Sequence, residues 1–364
     1  MISSRLDTIS STSPEPRRSR ARIPWVALLA LLVVGIILYR AATGSEGFDW
    51  LRFRSIIQEI DPAFAALAIS FIILSYLGRA IRWEIMIRPL GPTPSIWRLF
   101  VGSSIGFTAI VLLGRPGEFV RPWWIARESR TPFSAQLAVW LFERIYDLLV
   151  VILFFGFGLI HLSGSNLVAK AGPKLRFVIA SGGTAALVGA AVCLGLILAI
   201  RFLSDTQRRS LIGLVHKLPA PIASRLSPLA ENFLSGTAAC CDPRLQLLVI
   251  FYTFLEWLVI AACYWSVFQA FPFSRSLSFA DVITLVGFVS FGAIVQLPGI
   301  GGGFQVACIV VLTQLYSMAI EEATSLALFL WALSFLIILP LGLALAFREG
   351  LSFSKLSHLD EETA

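Results

Sequence analysis

From Leu99 to Leu113 the chain reads LFVGSSIGFTAIVLL, and this apolar run stops at Gly114-Arg115-Pro116-Gly117. A helix needs about 20 apolar residues to cross a bilayer, so the run is short for a span. Proline removes a backbone donor and glycine relaxes the dihedral restraint, so a helix cannot pass through the break unaltered. A polar stretch to about Pro132 follows, and then Ser134–Ile160, which is long enough to span even when tilted. That segment nevertheless carries Glu143, Arg144 and Asp147. A broken apolar segment followed by a long, charged, apolar one predicts a helix pair that dips into a membrane, then a full span.

The rest of the chain agrees. Of its 364 residues 57% are hydrophobic and 14% charged, with a mean hydropathy of +0.81. A soluble domain carries about a quarter charged residues. Backbone polar groups cannot be satisfied by lipid, so each apolar run must be helical or protected by neighbouring protein. Alternating ten-residue strand patterns are absent, which excludes a β-barrel. The expected fold class is therefore an all-α polytopic membrane protein with six full spans, eight by simple count if two re-entrant pairs are added. The spans are read at Trp25–Tyr39, Pro62–Leu77, Ser134–Ile160, Phe177–Ile200, Leu245–Phe268 and Ala323–Phe347.

Residues 1–23 read as a disordered basic tail, 24–348 as a single transmembrane domain and 349–364 as a second tail. Arg79, Arg82, Arg88 and Arg98 follow the second span and are expected on the cytoplasmic face by the positive-inside rule. Basic residues also outnumber acids in the hydrophilic segment 201–244, which is placed on the same face. Within it Leu226, Leu229, Phe233 and Leu234 recur at helical spacing, predicting an amphipathic helix. The protein is thus expected in the cell membrane as a multi-pass chain with both termini cytoplasmic. The basic stretch Lys170, Lys174 and Arg176 lies on the outer side of this topology.

Two regions resemble each other at an offset of about 185 residues. Val101-Gly102 to Phe107, then Leu113 to Phe119, answers to Val286-Gly287 to Gly292, then Leu297-Pro298-Gly299-Ile300-Gly301-Gly302-Gly303-Phe304. The halves run roughly 97–160 and 281–347, and the topology sets them in opposite orientations. Paired broken helices in an inverted repeat are a transporter device. The hinges would be Gly114, Pro116 and Gly117 in the first copy, and Pro298, Gly299, Gly301 and Gly302 in the second.

Charges inside a bilayer are costly and usually mark function. Arg115, Glu118 and Arg121 sit just past the first break, with Glu143, Arg144 and Asp147 in the next span. Glu143 and Asp147 are i,i+4 and share a helix face, so Arg144 has either Asp147 or Glu118 within reach. Guanidinium forks suit phosphate oxygens, so these six residues form a candidate lipid-phosphate site. A neutral network pinning the broken helix to its neighbour is the structural alternative. Glu256 is a further candidate for the same cavity, and Asp281 is read as a helix cap.

Five cysteines without CxxC spacing and three scattered histidines give no metal site, and no cofactor is expected. A P-loop pattern is absent, so lipid movement would be passive or coupled to an ion gradient.

Gly114-Arg115-Pro116-Gly117-Glu118-Phe119-Val120-Arg121, followed by Glu143-Arg144-Ile145-Tyr146-Asp147, resembles the signature of the lysylphosphatidylglycerol synthase transmembrane-region family. The break at Leu297-Pro298-Gly299-Ile300-Gly301-Gly302 is similar to that family's second hallmark, although Gln305 stands where many relatives carry an acid. The resemblance implies a flippase-like module that moves or binds an anionic lipid: a phospholipid, a polyprenyl-phosphate glycolipid or a hopanoid-pathway lipid. Only 17 residues follow Phe347, so no synthase catalytic domain and no enzymatic activity are expected. The expected partners are anionic membrane lipids and a lipid-modifying enzyme, with no nucleic acid. The alternatives are an accessory subunit that presents lipid to a separate enzyme, and an integral membrane transferase.

Overall fold

The computed structural model describes residues 48–163, 173–202, 205–237, 242–293, 296–297 and 301–350. The span expected at Trp25–Tyr39 lies outside the described residues, as do Pro298 and Gly299. In chain order the helices are α1 Trp50–Gln58, α2 Pro62–Ile87, α3 Ile96–Leu113, α4 Val120–Ser129, α5 Phe133–Ser163 and α6 Pro173–Arg201. There follow α7 Asp205–Val215, α8 Ala220–Gly236, α9 Pro243–Ala270, α10 Phe279–Gly292, α11 Gly303–Leu315, α12 Ile320–Trp331 and α13 Ile338–Arg348. A π-helical turn, Ala332–Leu336, joins α12 to α13. Strands of two residues, β1 Gln296–Leu297 and β2 Gly301–Gly302, pair antiparallel across the second break.

Six described helices are long and apolar enough to cross a membrane: Pro62–Leu90, Ile96–Leu113, Phe133–Leu162, Ser181–Arg201, Pro243–Ala270 and Ile320–Arg348. Five correspond to expected spans. The sixth is α3, which the sequence reading took as a short re-entrant arm; its 18 residues rise about 27 Å, close to a hydrocarbon thickness. The second span also needs correction, since α2 does not end at Leu77. Asp61 caps its start and the helix runs 26 residues to Ile87. Arg79 and Arg82 are therefore inside the helix, with Arg82 fully buried, and not on the cytoplasmic face.

Both broken pairs turn back to the side from which they enter. Arg98, in the first turn of α3, forms ion pairs with Glu128 at the end of α4 and with Glu349 just past α13. Tyr316, just past α11, donates its hydroxyl to the Asp281 carbonyl in the first turn of α10 at 3.3 Å. The two pairs open on opposite sides. α5 starts beside the first opening and ends at His161, whose Nε2 lies 3.0 Å from Asp281 Oδ1 at the second. Likewise α2 starts beside the end of α9, where Asp61 N donates to Ala270 O, and α9 starts beside the end of α6, where Arg201 bonds Gln246.

The two copies are longer than the sequence repeat. α2, α3, α4 and α5 start 181 to 187 residues before α9, α10, α11 and α12 respectively. Their packing is reciprocal: α3 lies against α13 of the other copy, and α10 lies against α5 of the first. A Cβ on Gly342 would overlap Thr108 of α3, and one on Gly158 would press on Thr284 of α10. α2 and α9, which occupy equivalent places in the two copies, form the most extensive helix–helix contact.

Glycine fits the breaks for steric reasons. Gly114 has φ 71°, the left-handed region, and ends α3 with a hydrogen bond to Ile110 O. Gly117 has no room for a side chain, since a Cβ there would overlap the Ala109 carbonyl and Ile110 N. Pro116 lies in the 3-10 turn Arg115–Phe119 that feeds α4, so the polar stretch to Pro132 is mostly helix. In the second break Gly302 has φ 112° and its N–H donates to Gln305 Oε1 at 2.7 Å. That half-helix start is therefore occupied by its own side chain. The segment 201–244 holds α7 and α8; α8 packs on α5, with Gly236 against the Ala135 carbonyl, while Leu226 and Leu229 of the expected apolar face are exposed.

Candidate functional site

Glu143, Arg144 and Asp147 sit mid-helix on α5, and i,i+4 spacing turns both acids toward α2 and α9. Arg82 meets them from α2. One guanidinium nitrogen lies 2.7 Å from Glu143 Oε1 and another 2.6 Å from Asp147 Oδ1 and 3.1 Å from Thr253 Oγ1. Trp257 Nε1 on α9 donates to Asp147 Oδ1 at 3.2 Å. Arg121, near the start of α4, is bonded to Glu143 and lies over the Trp83 ring at 4.1 Å. Arg144 closes the group at 3.0 Å from Glu143 and 3.1 Å from Asp147. The cluster thus ties four elements together.

Of the two partners weighed for Arg144, the structure selects Asp147 and adds Glu143. Glu118 pairs instead with Arg115 at 2.5 Å, an i,i+3 contact within the first break. Arg115 also donates to the carbonyl of Ala293 at 3.0 Å, which joins the first break to the end of α10 at the second.

Sequence reasoning missed the two residues that complete the cluster. Arg82 is its centre, and Arg79 lies one turn earlier with Nε 3.0 Å from Glu256 and its guanidinium 4.7 Å over the Phe107 ring. Their i,i+3 spacing, and the resumption of apolar residues at Ile81, Trp83, Ile85 and Met86, were the available signal. Glu256 does belong to the group, with Arg82 at 3.5 Å. In these ion pairs four guanidinium groups (Arg79, Arg82, Arg121 and Arg144) face three carboxylates (Glu143, Asp147 and Glu256). One positive charge is left over.

A cavity of about 330 Å³ opens beside the cluster. Arg79, Arg115 and Arg144 line it with Asp147, whereas Arg82 and Arg121 are sealed behind. Ala293 and Phe304 place the second break on the cavity lining beside Arg115 of the first. The remaining wall is aromatic, with Tyr76, Phe107, Trp257, Tyr264 and Phe335. Phe335 and Ser334 come from the π-helical turn, and Tyr76 donates to the Ser334 carbonyl at 3.4 Å. Such turns free a backbone carbonyl and recur at functional sites. Gly301 lies in β2 at the second break. Among the described residues no group of His, Cys, Asp and Glu is arranged to hold a metal ion. Asp281 caps α10 in a reciprocal box with Ser278.

Helices long enough to cross a membrane, two broken pairs opening to opposite sides and an arginine-lined cavity between them define a polytopic α-helical membrane protein built as an inverted repeat. The chain belongs to the lysylphosphatidylglycerol synthase TM region family, whose model matches residues 27–342. No curated protein matches it.

Proposed function

We propose that the protein binds an anionic lipid headgroup in this cavity and moves that lipid between leaflets, as a flippase-like transporter. The observation that carries the reading is the charge of the cluster: four guanidinium groups against three carboxylates, with Arg79 and Arg144 presented to the cavity where both breaks meet. A buried cation excess is unfavourable without a counter-anion, and the planar fork of arginine matches phosphate oxygens. Arg144 Nε supports this further, being buried without a hydrogen-bond partner beside the cavity. The aromatic wall suits the glycerol and first acyl carbons of a lipid, as ligand sites pair apolar surface with few polar anchors. We place the protein in the cell membrane, and the positive-inside rule supports turning the side bearing Arg88, Arg98, Arg244 and Arg348 toward the cytoplasm. A lipid-modifying enzyme is the partner that such a module would serve.

Native mass spectrometry of the purified protein tests the binding step, with wild type beside Arg79→Ala and Arg144→Ala. The reading predicts a selectively retained anionic lipid that both variants lose while remaining folded. Retention of the same lipid in all three, or of none, rejects it.

A further inference from the structure

Glu256 is the acid that the cluster holds least firmly. It is 3% exposed on α9, with Arg79 Nε 3.0 Å from Oε1 and an Arg82 nitrogen 3.5 Å from Oε2. Neither contact has hydrogen-bond geometry, and both oxygens are buried without a hydrogen-bond partner. Its neighbours differ. Glu143 accepts from Arg82, Arg121 and Arg144, and Asp147 accepts from Arg82 and Trp257. Both stay satisfied as anions. Arg79, which is the closest cation to Glu256, is also a wall of the cavity. The other charges around Glu256 are Arg82 from α2 and Glu143 and Asp147 from α5, with Arg144 and Arg121 bonded behind those acids.

Resting on the lipid-binding reading, we propose that Glu256 is a proton-binding site linked to occupancy of the cavity. An anionic headgroup on the cavity side of Arg79 competes with Glu256 for that guanidinium. A buried carboxylate that loses its cation neutralises by taking up a proton, because an isolated buried charge costs far more than a protonated acid. One proton enters from water for each monoanionic headgroup bound, and it leaves when the headgroup leaves. The charge of the buried cluster plus its ligand is then the same in both states. Lipid and proton travel together, so a proton gradient can drive lipid movement without a nucleotide-binding motif.

The test is isothermal titration of the full-length protein in nanodiscs with dioctanoylphosphatidylglycerol. Two buffers of different ionisation enthalpy, MES and Bis-Tris, give the number of protons taken up. Wild type is expected to take up close to one proton per lipid, its affinity rising up to about tenfold per unit fall in pH across the uptake window. Glu256→Gln is expected to bind with heat independent of buffer and affinity independent of pH. Binding by wild type with no proton uptake, or uptake that persists in Glu256→Gln, overturns this inference and leaves the lipid-binding reading standing. Failure of wild type to bind the lipid at any pH overturns both. Should Glu256→Gln not fold, the buffer comparison on wild type still decides between these outcomes.

Discussion

Arg82 has no exposed side-chain surface and satisfies two acids of a neighbouring span. Removing one partner of a buried ion pair costs about 3–5 kcal/mol because the other charge is left unpaired. Arg82→Ala is therefore expected to abolish stable expression or to lower the melting temperature in detergent sharply. Arg144 is 35% exposed, and its acids keep Arg82, Arg121 and Trp257 when it is removed. Arg144→Ala is expected to melt within a few degrees of wild type while losing its lipid, and equal collapse of both variants would refute this division. At the C-terminal end of α4 the Arg98 guanidinium holds the Glu128 carboxyl below the usual carboxylate range. A lowered folded-state value means stability that is present above the unfolded value, about 4.3, and lost as pH falls through the folded value. Melting temperature should therefore drop below about pH 4 in wild type and drop less in Glu128→Gln; equal drops would exclude the pair as a contributor. At this scale the sequence made Glu143, Arg144 and Asp147 legible through their spacing on one apolar helix. Arg79 and Arg82 were misplaced because a run of arginines after apolar residues reads as a membrane boundary. Only packing against α5 and α9 reveals that acids wait for them inside.

The breaks are the elements on which the fold turns. Gly117 lies against the backbone of α3, and Gly292 would press a Cβ into Ala307 and the Gly303 carbonyl. Overpacking of this kind costs about 1–3 kcal/mol, whereas a helical glycine with open space gains slightly from alanine. Gly117→Ala and Gly292→Ala are both expected to lower thermal stability, while Gly156→Ala and Gly195→Ala, with nothing near their Cβ positions, are not. Thermal unfolding followed by size-exclusion chromatography separates the two groups; a similar loss in all four would deny the breaks their steric role. The breaks themselves were readable, since Pro and Gly in an apolar run have few other uses. How much of Arg115–Ser129 is helical, a 3-10 turn followed by α4, was not, because its polar residues carry no apolar period and it is held by α3 and α5. Gln305 shows a similar limit: where an acid was expected, the amide caps Gly302 and closes the second half-helix on itself.

Across the whole molecule, two copies lie in opposite senses, each resting its first arm on the last span of the other. The opposite orientation was legible from counting spans, even though one span was read too short and the set of long helices differs. The reciprocal packing was not, since glycines such as Gly158 and Gly342 disclose their neighbours only in three dimensions. Symmetry of this kind gives the cavity two related environments, one break from each side, joined by Arg115 and the Ala293 carbonyl. That junction is where a headgroup would pass from one opening to the other. The direct measurement is leaflet exchange in proteoliposomes holding fluorescent phosphatidylglycerol or phosphatidylcholine, scored by how much fluorescence external dithionite removes. The account predicts that wild type exposes phosphatidylglycerol well beyond the outer-leaflet share, leaves phosphatidylcholine at that share, and loses the effect in Arg144→Ala. Equal movement of both lipids, or full movement by Arg144→Ala, would contradict it.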